Sequence, residues 1–196
     1  MGNHFLAYLY RLQNIERWSL MRSTTPENVA EHSFHVALIA HALCSIGRDI
    51  FGHDVNPDEA VTYALFHDAT EVITGDIPTP VKHHNPQILA NFREIESLAA
   101  ERLLATVPQE LREAYTPLFK QKPANPATEK YLKAADLLDA YLKCLSEMSA
   151  GNREFATARR QSEDKLRQLN MPEVEWFLDH LAPGFERTID ELSEEE

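Results

Sequence analysis

The sequence has little cysteine, little glycine and little positive charge, and no long run of purely apolar residues. Its two cysteines, Cys44 and Cys144, are far apart in the chain. They lack the close spacing of a disulfide framework or a thiolate zinc site. Lys and Arg number 19 against 31 Asp and Glu, a net charge of −12. Such a surface repels a phosphate backbone, so a nucleic-acid polymer is not an expected partner. A small phosphorylated substrate stays compatible if a few cations or a metal are placed locally. No segment approaches the roughly 20 apolar residues of a membrane span. No basic segment followed by a long apolar run marks a secretory leader. The expectation is a cytoplasmic protein that does not engage a membrane.

What is present points to helices. Hydrophobic residues make up 43% of the 196 residues and charged residues 26%, ordinary for a chain that buries a core. The prolines sit mostly at helix starts, and the runs between breakers carry helical rather than alternating spacing. Phe5, Tyr8, Leu9 and Leu12 predict a first helix. A second is expected from about Thr25-Pro26 with Val29, Val36, Ile39, Ala40 and Leu43. Asn56-Pro57 opens a third that runs through Val72 and ends at Gly75. Asn85-Pro86 opens a fourth, Pro108 a short fifth, and Asn125-Pro126 a long sixth stopped by Gly151. Helical stretches around Phe155 to Leu169 and from Pro172 through Phe177 follow, and the acidic tail 191–196 is expected to fray. No repeat or linker divides the chain, so residues 1–196 read as one all-α domain.

His67-Asp68 stands out because it lies in an apolar helical stretch, where an imidazole and a carboxylate are costly unless paired. His32 and Asp136 lie among apolar residues on two other predicted helices. Two imidazoles and two carboxylates form a mixed nitrogen–oxygen set that suits a divalent transition metal better than calcium or magnesium. Glu71 follows His67 by four residues and Asp68 by three, so it shares their helical face. There it could orient water or move a proton. Spacing alone leaves Asp139 a rival to Asp136, and His35 and His41 rivals to His32.

The order His32, His67-Asp68, Asp136 resembles the signature of the HD-domain metal-dependent phosphohydrolases. Segments 14–22, 27–33, 67–72, 75–82 and 135–144 resemble more closely the bacterial 5′-deoxynucleotidase branch, and the likeness runs from about residue 4 to about residue 190. The resemblance implies a compact HD-domain helical bundle. It implies one divalent transition metal per subunit (cobalt, manganese or similar), with His32, His67, Asp68 and Asp136 as ligands. His35, His41 and Asp139 would then be structural or supporting residues. It implies catalytic roles for Glu71 and Arg17, with Arg17 at the substrate phosphate. Trp18, Asp76, Ile77, Pro78 and Thr79 would lie against the nucleoside, with His32, Asp68 and Asp136 also bordering the substrate. The implied reaction is hydrolysis of deoxyribonucleoside 5′-monophosphates, selective against ribonucleotides and 3′-phosphates, by a homodimer. Larger or cyclic nucleotides would want clustered cations, for which the sequence offers mainly Arg17, Arg22 and Lys82. A non-catalytic sensor would typically have lost a ligand or Glu71. The chain departs from the family pattern at His83-His84, where aromatic residues are expected at the outer rim of the pocket.

Overall fold

The computed structural model describes residues 4–82 and 84–194. Eleven α-helices occur among them, with no named strand and one isolated antiparallel bridge, Glu16 to Asn28. They are α1 Phe5–Leu9, α2 Val29–Asp49, α3 Pro57–Phe66, α4 Glu71–Thr74, α5 Thr79–Lys82, α6 Pro86–Ala105, α7 Arg112–Phe119, α8 Pro126–Ser149, α9 Ala156–Gln168, α10 Pro172–His180 and α11 Ile189–Ser193. The helix starts follow the Asn-Pro signals. Asn56, Asn85 and Asn125 each accept a backbone N–H at the first turn, with proline just inside. Such a cap contributes about 1 kcal/mol.

The centre is built on α2 and α8, which bury continuous apolar stripes against each other and against α3 and α10. Val36, Ala40 and Leu43 from α2, Ala60 and Ala64 from α3, and Ala135, Leu138 and Leu142 from α8 are all buried in this cluster. Alanine recurs where helices approach closely. A second cluster gathers Phe5, Ala100, Leu103 and Phe119 around the other side of α3 and α4. By length and composition alone α2 could cross a membrane, contrary to the expectation that no stretch comes close. In the fold it is the core helix, with eleven buried residues.

Several boundaries differ from expectation. Helix α2 begins at Val29, because Asn28 and Glu31 form a reciprocal capping box. Residues 15–29 instead fold back on themselves, with Arg17 N–H donating to Glu27 O and Val29 N–H to Ile15 O. The third predicted helix is broken. Helix α3 ends at Phe66 and α4 starts at Glu71. Both the backbone N–H and the imidazole Nδ1 of His67 lie on Ala64 O, at 3.3 and 2.7 Å. That carbonyl is the one the Asp68 N–H would need to continue an α-helix. The chain tightens here, with Ala69 N–H on Phe66 O and Glu71 N–H on Asp68 O. The tail is ordered further than expected, since Thr188 and Glu191 cap α11 reciprocally. Residues 195–196 of that segment, and His83, lie outside the described residues. Of the carboxy-terminal aromatics, Phe177 is buried and Phe185 exposed.

Candidate metal and active site

Three elements bring the predicted ligands together. His32 lies in the first turn of α2, fixed by the Asn28 cap, and is fully buried. His67 and Asp68 occupy the tight turn after α3, and Asp136 lies midway along α8. His32 Nε2 is 3.2 Å from His67 Nε2, 3.4 Å from Asp68 Oδ2 and 3.3 Å from Asp136 Oδ1. His67 Nε2 is 3.1 Å from Asp68 Oδ2.

The outer nitrogens of both rings are engaged. His67 Nδ1 donates to Ala64 O at 2.7 Å, and His32 Nδ1 lies 2.6 Å from Asp139 Oδ2. With Nδ1 protonated on each ring, a neutral imidazole presents a bare lone pair at Nε2. The two lone pairs and a carboxylate oxygen of Asp68 then lie within 4.8 Å of one another, and half-exposed Asp136 reaches this group through His32 Nε2, a gathering that is repulsive without a cation among them. The donors therefore fit a divalent transition ion, and neutral imidazole with carboxylate is the chemistry such ions take. Burial works against a charged His32 ring, but the carboxylates of Asp136, Asp139 and Asp68 outweigh it and raise its pKa well above the usual value.

Glu71, at the start of α4, has one carboxylate oxygen, Oε2, buried without a hydrogen-bond partner among the described residues. Burial, with Asp68 and Asp76 adding repulsion, pushes its pKa up to about 9 in the metal-free protein. Glu71 shares a narrow recess with Ile77, Lys82 and Glu96. Gly75 adopts φ 72° at the end of α4, a left-handed conformation that costs a residue with Cβ. It turns the chain so that Asp76, Ile77 and Pro78 lead into α5, which starts at Thr79. Asp76 is half-buried, and burial, then Asp68, shifts its pKa upward against the pull of Arg17.

Arg17 and Trp18 come from the folded-back segment. Arg17 Nη1 is 3.8 Å from Asp68 Oδ2, while its Nε donates to Glu27 Oε2 at 3.2 Å. Trp18 Nε1 donates to the same oxygen at 2.8 Å, and its ring packs against Phe155 with centroids 5.3 Å apart. Trp18 has φ 59°, uncommon for a bulky residue and typical of a conformation imposed by its surroundings. Glu147 on α8 clasps this segment. It accepts from Thr24 N and Oγ1 at 2.8 and 2.7 Å, from Asn152 Nδ2 at 2.8 Å and from Lys143 Nζ at 2.5 Å.

The rivals separate in space. Asp139 lies behind His32, on its Nδ1 side, and Asp136 on its Nε2 side. His35 is half-exposed, with Nδ1 3.6 Å from Asp139 Oδ1 and 4.0 Å from Glu27 Oε1. His41 is exposed. Arg22, expected as a nearby cation, is almost wholly exposed and pairs with Glu154 at 2.7 Å. Lys82 pairs with Glu96 at 2.5 Å. Glu27 and Glu147 were not legible as supports. A Lys143/Glu147 pair at helical spacing was the one signal for the latter, and nothing in sequence ties it to Thr24.

Residues 4–185 match the family described as 5′-deoxynucleotidase YfbR-like. The 5′-deoxynucleotidase VP0926 of Vibrio parahaemolyticus is 45% identical over 191 residues, covering 97% of this chain and 98% of the relative. The 5′-deoxynucleotidase YfbR of Escherichia coli is 43% identical over 193 residues, covering 98% and 97%. An HD-domain phosphohydrolase from Listeria innocua superposes with TM-score 0.81 at 28% identity, covering 94% of this chain and 90% of that one. The HD phosphohydrolase DatZ of cyanophage S-2L, solved with dA and one catalytic Zn2+ ion, superposes with TM-score 0.59 at 26% identity, covering 94% and 96%.

Proposed function

Because the chain belongs to the YfbR-like family of 5′-deoxynucleotidases, we propose a division of labour among its residues for that family's reaction. The enzyme is a metal-dependent hydrolase that splits a deoxyribonucleoside 5′-monophosphate into deoxynucleoside and phosphate. In this reading His32, His67, Asp68 and Asp136 hold the ion. The observation that carries it is the approach of two Nε2 lone pairs to 3.2 Å beside two carboxylates. When bound, a divalent transition ion supplies Lewis acidity toward the phosphate and lowers the pKa of water. Arg17, held by Glu27, orients and partly neutralises the phosphate. Glu71 moves a proton at Oε2 during the in-line displacement, a role supported by that atom's lack of a hydrogen-bond partner among the described residues. Trp18 offers a flat wall to the nucleoside, and Asp76, Ile77, Pro78 and Thr79 present the opposite edge. His32, Asp68 and Asp136 border the reacting phosphate.

The finer assignments belong to the same proposal. Selectivity against ribonucleotides and 3′-phosphates comes from the Trp18 wall and the turn after Gly75. Cobalt or manganese serves as well as the zinc of the phage relative, since the donor set does not single out one ion. The working form is a cytoplasmic homodimer, with 1–196 a single domain. The test is phosphate release from paired deoxy- and ribonucleoside 5′-monophosphates and 3′-monophosphates, using metal-stripped protein with single metals restored. Turnover favouring the 5′-deoxynucleotides, lost in Glu71→Ala without loss of metal binding, supports the assignment. Metal binding with no turnover of any monophosphate overturns it, and light scattering decides the dimer.

A further inference from the structure

We propose that Asp139 is the positioning residue for the metal ligand His32: its carboxylate accepts the Nδ1 proton and thereby fixes Nε2 as the metal-facing donor. The proposal rests on the metal-site reading above.

The geometry is that of two buried groups made for each other. His32 Nδ1 and Asp139 Oδ2 are 2.6 Å apart across the α2–α8 contact, and both side chains are at least nine-tenths buried. This is the one hydrogen bond that Asp139 makes among the described residues. A lone carboxylate in that place is expensive. It shares the buried stripe of α8 with Ala135, Leu138 and Leu142, where a leucine would pack without penalty. Taking a carboxylate out of water costs several kcal/mol unless a partner offsets it. The imidazole N–H is that partner, while the other oxygen, Oδ1, lies 3.6 Å from His35 Nδ1.

Asp139 cannot act as a ligand to the same ion through this contact, because it meets the ring on the nitrogen opposite Nε2. It acts through His32 instead. A carboxylate on the far nitrogen fixes the tautomer, holds the ring plane and makes the other nitrogen a stronger donor. The two imidazoles of the site differ in this respect. His67 is backed by a neutral carbonyl, Ala64 O, and His32 by a charge. His32 is therefore the ligand whose donor strength the protein raises.

The experiment compares wild type with Asp139→Asn, Asp139→Ala, Asp139→Glu and His32→Ala. For each, Mn2+ affinity is measured by chelator competition, the thermal midpoint is taken without metal, and kcat and KM are measured at saturating Mn2+. The expected result is that Asp139→Asn and Asp139→Ala lose 10- to 100-fold in Mn2+ affinity. The metal-free midpoint of Asp139→Asn, whose carboxamide oxygen can still accept from Nδ1, stays near that of wild type, whereas Asp139→Ala also leaves that buried N–H without its acceptor and falls somewhat. Much of kcat returns at saturating Mn2+, and Asp139→Glu recovers affinity in part. Mn2+ affinity within threefold of wild type in both Asp139→Asn and Asp139→Ala overturns the proposal. So does an affinity loss in Asp139→Asn that only accompanies a fall in its metal-free midpoint, which is a structural role. Should His32→Ala itself retain Mn2+ affinity, the metal-site reading fails and Asp139 with it. If His32→Ala abolishes binding and the Asp139 variants do not, only the proposal about Asp139 falls.

Discussion

His32 Nε2 and His67 Nε2 lie 3.2 Å apart, and each ring is fixed from behind by an acceptor on Nδ1. The pair is held in a geometry that an ion relieves. Binding an ion at a hundred times its dissociation constant is worth about 2.7 kcal/mol to the folded state. For a chain of this size that is a rise in Tm of about 8 °C. Calorimetry of stripped and Mn2+-loaded protein measures it. His67→Ala is expected to abolish the response, and an equal rise in that variant would refute the assignment.

Glu71 gives the metal-free protein a pH dependence of definite sign. Its folded-state pKa is raised to about 9, by burial first and then by Asp68 and Asp76. An unfolded glutamic acid loses its proton near about 4.3. Between those values the folded chain holds a proton that the unfolded chain has released, so stability falls as pH rises through the window. Glu71→Gln is expected to flatten that slope and raise the metal-free Tm at pH 8. With metal restored, turnover should fall by about 10²–10⁴. Melting curves from pH 5 to pH 9 decide it, and identical slopes in variant and wild type count against it.

How far the sequence reveals this arrangement depends on how local each feature is. Helix starts were readable at Asn56, Asn85 and Asn125 because an asparagine cap and a following proline act within one turn. The candidate donors stood out because a histidine and an aspartate between Phe66 and Ala69 contradict their apolar setting. The break at His67 was not readable. It depends on the imidazole taking the Ala64 carbonyl, which no spacing rule reports. Residues spaced one turn apart, Asp136 and Asp139, remained equivalent in sequence. Only the pose of His32 between α2 and α8 assigns them to opposite sides of one ring.

Glu147 should link stability to substrate affinity. Burial opposes its ionisation, but hydrogen bonds from Lys143, Thr24 and Asn152 outweigh this and hold its pKa well below the usual range. Its stabilising contribution is therefore present above the ordinary glutamate pKa and lost as pH falls below it. Glu147→Ala leaves Lys143 with only the Thr25 carbonyl and takes the acceptor from Thr24 and Asn152, at a cost of about 3 kcal/mol, measurable by urea unfolding. KM should rise at least severalfold as residues 17–25 loosen. An unchanged KM with lowered stability would separate the clasp from the substrate site.

Gly47 offers a variant that disturbs the fold away from the chemistry. A Cβ there would collide with the Tyr131 hydroxyl and lie 3.1 Å from Glu173 Oε1. Tyr131 and His53 both bond that carboxylate, so the neighbours have little room to yield. Gly47→Ala is expected to cost about 1–3 kcal/mol and to leave Mn2+ affinity unchanged. A shift in metal affinity would mean that this polar cluster communicates with the site.

Helix α8 carries Asp136 at one level and Glu147 three turns further on. The first faces the ion-binding donors and the second clasps the segment bearing Arg17 and Trp18. Eleven residues of α-helix span about 16 Å, so one rigid rod works as a gauge block between the donor cluster and the grip on Thr24. Inserting or deleting a single residue between Asp136 and Glu147 would turn one of them by about 100° about the axis. The donor cluster and the clasp could then each remain whole while the two were no longer in register.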